Sequence, residues 1–128
     1  MLRTFLLLLT ISGLSCSPST GYSQNKLTPD AFEAMLKSDS TVQLVDVRTP
    51  GELQSGYIAG AQNLNIQDAD FAKKINQLDK NRPIMVYCAV GGRSAKAASQ
   101  FSSLGFTKVY DLKGGITAWK SAGKAMGY

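Results

Sequence analysis

Short apolar runs separated by amphipathic stretches make up most of the chain from about residue 26 onward. The runs are bounded by turn-forming residues, which is typical of buried strands, and they predict strands at residues 42–47, 62–66, 84–88 and 108–112. Apolar positions at helical spacing predict helices at residues 29–36, 69–78, 94–104 and 115–120. Because the two patterns alternate, we expect an α/β fold with a parallel central sheet and helices on both faces.

The first residues have a different pattern. Arg3 precedes the apolar run at residues 5–11, and small residues follow, which predicts a signal peptide over residues 1–15. Gly13 and Ser15 stand where a signal peptidase reads the chain, so Cys16 becomes the first mature residue. We therefore expect an exported, periplasmic protein.

Cys16 at that position is typical of a bacterial lipoprotein, which acyl chains would tether to a membrane. Such signals usually carry leucine three residues before the cysteine, where this chain has Gly13. Lipidation and ordinary secretion both stay open. Residues 16–25, rich in Ser, Pro and Gly, predict a polar tether, and residues 26–128 have the length of one domain.

Charge and composition exclude several functions. The chain has a formal net charge of +5, but its lysines are dispersed, so we expect no nucleic-acid partner. It contains no histidine, which excludes Ser-His and Cys-His catalysis and argues against a zinc site. We expect neither a metal nor a cofactor. Of the two cysteines, Cys88 has no partner thiol within the folded body.

Cys88 is the candidate nucleophile. It closes the apolar run at residues 84–88 and is followed by two glycines, then Arg93 and a predicted helix. Adjacent glycines allow the torsions that turn backbone N–H groups toward one point, and Arg93 adds a positive charge. This field favours the thiolate, so we predict a pKa for Cys88 below the free value of about 8.5. A buried, inert cysteine is the alternative interpretation.

With these residues in place, the chain resembles the rhodanese-like (thiosulfate sulfurtransferase) family in its single-domain form. The resemblance covers nearly the whole body and is carried by the Cys88 loop and by residues 44–53, 55–63 and 112–119. One departure is Tyr57, which stands where family members commonly carry histidine. We expect Tyr57 to pack at the edge of its loop and the activity to survive.

The resemblance implies that Cys88 takes a sulfane sulfur from a donor such as thiosulfate and passes it from a persulfide to an acceptor. That acceptor would be cyanide, a small thiol or a thioredoxin-like protein. The resemblance also implies that the amides of the loop hold the persulfide and that Arg93 binds the anionic donor. The predicted substrate-binding residues are Ala89, Val90, Gly91, Gly92, Arg93 and Ser94.

Three further polar residues are predicted to support the site. Arg48 and Glu52 are expected to pair and hold the turn after the strand at residues 42–47, and Asp46 is expected to be an acceptor that orients the loop.

Two other functions compete with sulfur transfer. Cysteine phosphatases also combine a thiolate, a loop of amides and an arginine, but they carry five residues between cysteine and arginine, whereas this chain has four. The shorter loop suits a sulfur atom better than a tetrahedral phosphate. The second alternative is a non-enzymatic binding or redox module of the same fold that acts on a protein thiol partner.

Overall fold

The computed structural model describes residues 25–128. The predicted signal peptide, Cys16 and the predicted tether up to residue 24 lie outside this part of the chain. Five strands form one fully parallel sheet in the order β1-β5-β4-β2-β3. The alternating pattern predicted the parallel arrangement but not the strand order. The strands are β1 (Asn25–Leu27), β2 (Gln43–Asp46), β3 (Gln62–Asn63), β4 (Ile84–Tyr87) and β5 (Val109–Leu112).

In the described part of the chain, three α-helices and one 3₁₀ helix connect the strands, and a fourth α-helix follows β5. They are α1 (Pro29–Ser38), the 3₁₀ helix (Pro50–Ser55), α2 (Phe71–Ile75), α3 (Gly92–Ser103) and α4 (Gly115–Ser121). α1 begins as predicted, because the Thr28 hydroxyl accepts a hydrogen bond from Ala31 N at 3.2 Å and Pro29 is the first helical residue. Within residues 25–128, none of the helices is long and apolar enough to span a bilayer.

The sheet is covered on both faces, and each face has its own apolar core. On one face, α2 and α3 bury Phe71 and Phe101 against β-strand side chains such as Val86. On the other, α1 and α4 bury Phe32 and Trp119, whose rings meet edge to face with centroids 6.1 Å apart. The prediction of helices on both faces is therefore confirmed.

Three local features differ from the predictions. β1 was not predicted, because its short and largely exposed sequence has no apolar pattern; it pairs with β5 at the sheet edge and begins inside the predicted tether. α2 ends at Ile75, because the backbone then tightens into turns in which Leu78 N donates to Ile75 O at 3.1 Å. β3 is only two residues long, although Leu64 N and Ile66 N still donate to carbonyls of the neighbouring segment.

Candidate active site

Cys88 lies directly after β4, at the carboxyl edge of the sheet and between the ends of β2 and β5. Every residue of β4 is buried, and the Cys88 side chain is 1% exposed. It is a free thiol. In parallel sheets the carboxyl ends of neighbouring strands meet at one edge, where ligands usually bind. The structure thus places this cysteine where the apolar pattern of the chain predicted a strand to end.

The loop that follows turns backbone amides toward the sulfur. Gly91 has a φ of 115°, in the left-handed region that residues with a side chain rarely adopt, and its N–H donates to Cys88 Sγ at 3.1 Å. Gly92 has no positive φ, and a Cβ placed on it would meet nothing within 4 Å. The two adjacent glycines therefore differ: only Gly91 is required by the torsions of the loop.

These donors lower the pKa of the Cys88 thiol below its ordinary value, as predicted. Burial by itself raises that pKa. The Ser94 hydroxyl and the backbone N–H groups of Ser94, Gly91 and Val90 favour the thiolate and outweigh the effect of burial. In the thiol form, Cys88 Sγ donates to Ser94 Oγ at 3.4 Å, and the Ser94 hydroxyl donates to Gly91 O at 3.2 Å.

The start of α4 holds the loop from its other side. Ile116 N donates to Cys88 O at 2.9 Å, and Thr117 N donates to Ala89 O at 3.1 Å. Gly115 permits this approach: its φ is 61°, and a Cβ there would lie 2.6 Å from backbone atoms of Cys88 and Ala89. This contact was not predicted from the sequence, although the adjacent pair Gly114 and Gly115 is a signal of close backbone approach.

Arg93, the second residue of α3, is held by Glu52 of the 3₁₀ helix. Its Nη1 and Nη2 donate to the two carboxylate oxygens of Glu52 at 2.8 and 2.7 Å. Hydrogen bonding to Arg93 is the main cause that lowers the pKa of Glu52 to about 2. The Arg93 side chain is 29% exposed, so it still borders solvent beside the loop. The pairing of Arg93 with Glu52 was not predicted from the sequence.

The predicted ion pair between Arg48 and Glu52 is wrong. Arg48 pairs with Asp46: Nη2 donates to Oδ2 at 2.7 Å and Nε donates to Oδ1 at 3.0 Å, and both side chains are buried. With Glu52, Arg48 forms only one hydrogen bond: its Nη1 donates to the backbone carbonyl at 3.4 Å. The reason is geometric: Arg48 points into the protein from the end of β2, while the Glu52 carboxylate turns outward to Thr49 and Arg93.

Asp46 is an acceptor, as predicted, but its carboxylate orients Arg48 and not the Cys88 loop itself. Arg48 in turn donates to the carbonyls of Glu52 and Gly56, at 3.4 and 2.9 Å, and so holds the 3₁₀ helix near both of its ends. That helix carries the carboxylate that binds Arg93. The influence of Asp46 on the loop is therefore indirect.

The remaining predicted residues are two residues of the loop, Ala89 and Val90, and Tyr57. Val90 projects from the loop and is 69% exposed, whereas Ala89 is half-buried. Tyr57 forms its hydrogen bonds with the C-terminal residues: its N–H donates to Gly127 O at 3.0 Å and its hydroxyl donates to Tyr128 O at 3.2 Å. Tyr57 therefore has a packing role at this surface.

Comparisons with known proteins agree with this geometry. A family model described as "Rhodanese-like domain" matches residues 28–122. A protein named thiosulfate sulfurtransferase GlpE, from Shewanella oneidensis, is 42% identical over 82 residues, which is 64% of this chain and 79% of that one. A protein named sulfurtransferase, from Allochromatium vinosum, is 31% identical over 77% of this chain and 91% of its own length. Among solved structures, a rhodanese-related protein from Thermoplasma volcanium superposes with a TM-score of 0.71 at 30% identity, covering 80% of this chain and 97% of that one.

Proposed function

The chain belongs to the rhodanese-like domain family, and from this premise we propose that it is a sulfurtransferase that carries sulfane sulfur as a persulfide on Cys88. The observation that carries the proposal is the set of donors around Cys88 Sγ, with Gly91 N at 3.1 Å and Ser94 Oγ at 3.4 Å. The relatives are named as sulfurtransferases, and the choice of thiosulfate as donor and a thiol or cyanide as acceptor is part of the proposal.

The first half-reaction loads the cysteine. The Cys88 thiolate attacks the outer sulfur of thiosulfate, a new S–S bond forms, and the S–S bond of the donor breaks. Sulfite leaves with the electron pair of that bond. The negative charge then lies on the outer sulfur of the persulfide, where the N–H groups of Val90, Gly91 and Ser94 stabilise it as they stabilise the thiolate.

The second half-reaction unloads the sulfur. An acceptor thiolate or cyanide attacks the outer sulfur, and the Cys88 thiolate leaves and is ready for another cycle. A lowered pKa helps this step as well, because a more stable thiolate is a better leaving group. The exposed Val90 side chain offers an apolar contact beside the sulfur, which suits a thiol on a larger acceptor molecule.

Arg93 is proposed to bind the anionic donor. Glu52 holds two of its guanidinium nitrogens, which fixes the plane of the group and leaves its other face toward solvent. Because Glu52 also cancels its charge, the field at the mouth is weaker than that of a free arginine. We therefore assign Arg93 to orientation of the donor more than to long-range attraction.

The decisive experiment is the intact mass of the purified protein before and after incubation with thiosulfate, with Cys88→Ser as the matched control. We expect only the wild type to gain the mass of one sulfur atom and to lose it on addition of cyanide or a thiol. The absence of any gain from thiosulfate or from a polysulfide would reject the enzyme and favour a binding module. Phosphate-ester hydrolysis that disappears in Cys88→Ser would favour a phosphatase instead.

We also propose that the protein is exported and acts in the periplasm, with Cys16 as a lipid anchor. The support is the order of charged, apolar and small residues before Cys16. Cell fractionation of the wild type and of Cys16→Ala tests the proposal: a membrane-bound wild type and a released variant support lipidation. Release of both into the periplasm supports ordinary secretion.

A further inference from the structure

Asp111 is a buried carboxyl that the proposed reaction does not use. It lies in β5 and is 1% exposed, and neither of its carboxyl oxygens has a hydrogen-bond partner among residues 25–128. An ionised carboxylate in such a place would be very costly, because its charge has lost both water and any compensating donor. Burial is the main cause that raises the pKa of Asp111. The Ser94 hydroxyl, Lys26 and Leu112 N–H lie near and act in the opposite sense, but none of them forms a hydrogen bond to the carboxyl, and the rise remains.

The register of the sheet brings Asp111 toward the reactive sulfur. Asp111 stands opposite Val86 in the pairing of β5 with β4, and Cys88 follows Val86 by two residues. Side chains alternate along a strand, so Val86, Cys88 and Asp111 lie on the same face of the sheet. α3 covers this face, and its Ser94 side chain is fully buried there. Ser94 therefore lies next to both the sulfur and the carboxyl.

We propose that Asp111 is a positioning residue for Cys88: its neutral carboxyl donates a hydrogen bond to Ser94 Oγ, which directs the Ser94 hydroxyl proton to the thiolate. The inference concerns the same site as the proposed function. It adds Asp111 to Val90, Gly91 and Ser94, the residues that favour the thiolate form of Cys88.

The chemistry follows from what Ser94 can donate and accept. In the thiol form, Cys88 donates to Ser94 Oγ, and the serine proton points to Gly91 O. When Cys88 loses its proton, Ser94 Oγ loses that donor and its own proton can turn to the sulfur. A neutral Asp111 then fills the empty acceptor position on Oγ. An ionised Asp111 would do the opposite. It would accept the hydrogen bond of the Ser94 hydroxyl and place a second negative charge near the thiolate.

Among residues 25–128, three groups lie around Asp111. Lys26 stands opposite it on β1, Ser94 faces it from α3, and Cys88 lies beyond the end of β4. Lys26 is exposed, so water screens its charge. Ser94 is thus the group through which Asp111 acts on the sulfur.

The test is the pH dependence of Cys88 alkylation by iodoacetamide, in purified protein that carries Cys16→Ser so that Cys88 is its only thiol. Asp111→Asn keeps a neutral donor, and we expect the midpoint to stay within about 0.3 pH units of the parent. Asp111→Leu removes the donor, so Ser94 no longer directs its hydrogen bond to the charged thiolate, and we expect the midpoint to rise by about one pH unit, which corresponds to the loss of one such bond. Ser94→Ala should raise it as well, and Asp111→Leu should add nothing in that background.

A control separates this effect from simple destabilisation. The control variant is Val109→Ala, because Val109 lies on the same strand and the same face as Asp111, in the apolar core. It should lower the melting temperature and leave the alkylation midpoint unchanged. If Asp111→Leu does not fold, infrared difference spectra between the parent and Asp111→Asn show whether Asp111 is protonated. We expect the C=O band of a protonated carboxyl at pH 7. We also expect Ser94→Ala to shift this band.

Three results would overturn the proposal. A lower midpoint in Asp111→Asn would mean that Asp111 is ionised and opposes the thiolate, and an unchanged midpoint in Asp111→Leu would mean that the two groups are not coupled. Absence of the carboxyl band at pH 7 would count equally against it. Alkylation needs no sulfur donor, so these outcomes are separate from the mass measurement that tests sulfur transfer.

Discussion

Glu52 and Arg93, from different elements of the fold, form a two-point pair in which both guanidinium Nη atoms donate to the carboxylate at 2.7 and 2.8 Å. The pair connects the 3₁₀ helix after β2 with the start of α3, next to the Cys88 loop. Arg93 therefore reaches the site with its orientation already set.

Substitution of Glu52 tests the orientation of Arg93. Glu52→Gln keeps the shape of the side chain but removes its charge, so we expect the guanidinium to sample other rotamers. The KM for thiosulfate should rise severalfold, which corresponds to about 1 kcal/mol for a partly exposed pair. Steady-state kinetics of cyanide-dependent sulfur transfer measures this. A lower KM in Glu52→Gln would show instead that Glu52 competes with the donor for Arg93.

The same pair makes stability depend on pH in the acid range. The pKa of Glu52 is lowered to about 2 in the folded protein, from about 4.3 in an unfolded chain. A carboxyl with a lowered pKa stabilises the fold above the unfolded value and loses that contribution as the pH falls through the folded value. Urea unfolding between pH 5 and pH 2 should therefore show a steeper loss of stability in the wild type than in Glu52→Gln. Parallel profiles of the two proteins would contradict this.

The contact between α4 and the loop predicts a large difference between two glycine substitutions. Gly115→Ala places a Cβ 2.6 Å from the backbone of Cys88 and Ala89 at a positive φ. We expect a loss of at least about 2 kcal/mol and of most sulfur-transfer activity. Gly51→Ala, where a Cβ meets nothing within 4 Å, is the matched control and should change little. Chemical denaturation and activity assays measure both, and equal effects would disprove the contact.

The buried pair of Asp46 and Arg48 predicts strong coupling. Arg48→Met leaves the fully buried Asp46 carboxylate without its cation, and we expect a loss of about 3 kcal/mol or more. Asp46→Asn added to Arg48→Met should recover part of the loss, because the charge left behind has been removed. A double-mutant cycle by urea unfolding gives the coupling energy. Additive losses would mean that the two side chains act independently.

The parts of the molecule that could be predicted from sequence are those set by local pattern. The apolar runs predicted β2, β4 and β5 to within one residue at either end, because a strand that is buried on both faces of a parallel sheet is mostly apolar. The place of Cys88 followed from the same rule. β1 could not be predicted, since a short and exposed edge strand is stabilised by its pairing with β5 and not by its own sequence.

Side-chain partners were harder to predict than elements. Arg48 and Glu52 were predicted to pair and hold the turn after β2, but Arg48 points inward to Asp46, and Glu52 pairs with Arg93. Such a pairing depends on how β2, the 3₁₀ helix and α3 are arranged in space. The burial of Asp111 was equally hidden, because only the assembled sheet shows that α3 covers it.

The hydrogen bond from Thr117 N to Ala89 O also changes the polarity of a peptide group in the loop. Ala89 O, which accepts from Thr117 N, belongs to the same peptide group as Val90 N–H, one of the donors that lower the pKa of Cys88. A carbonyl that accepts a hydrogen bond polarises its peptide group and makes the attached N–H a stronger donor. α4 therefore affects the reactivity of the sulfur through the Ala89–Val90 peptide group. Within residues 25–128, α4 itself forms no hydrogen bond to the sulfur.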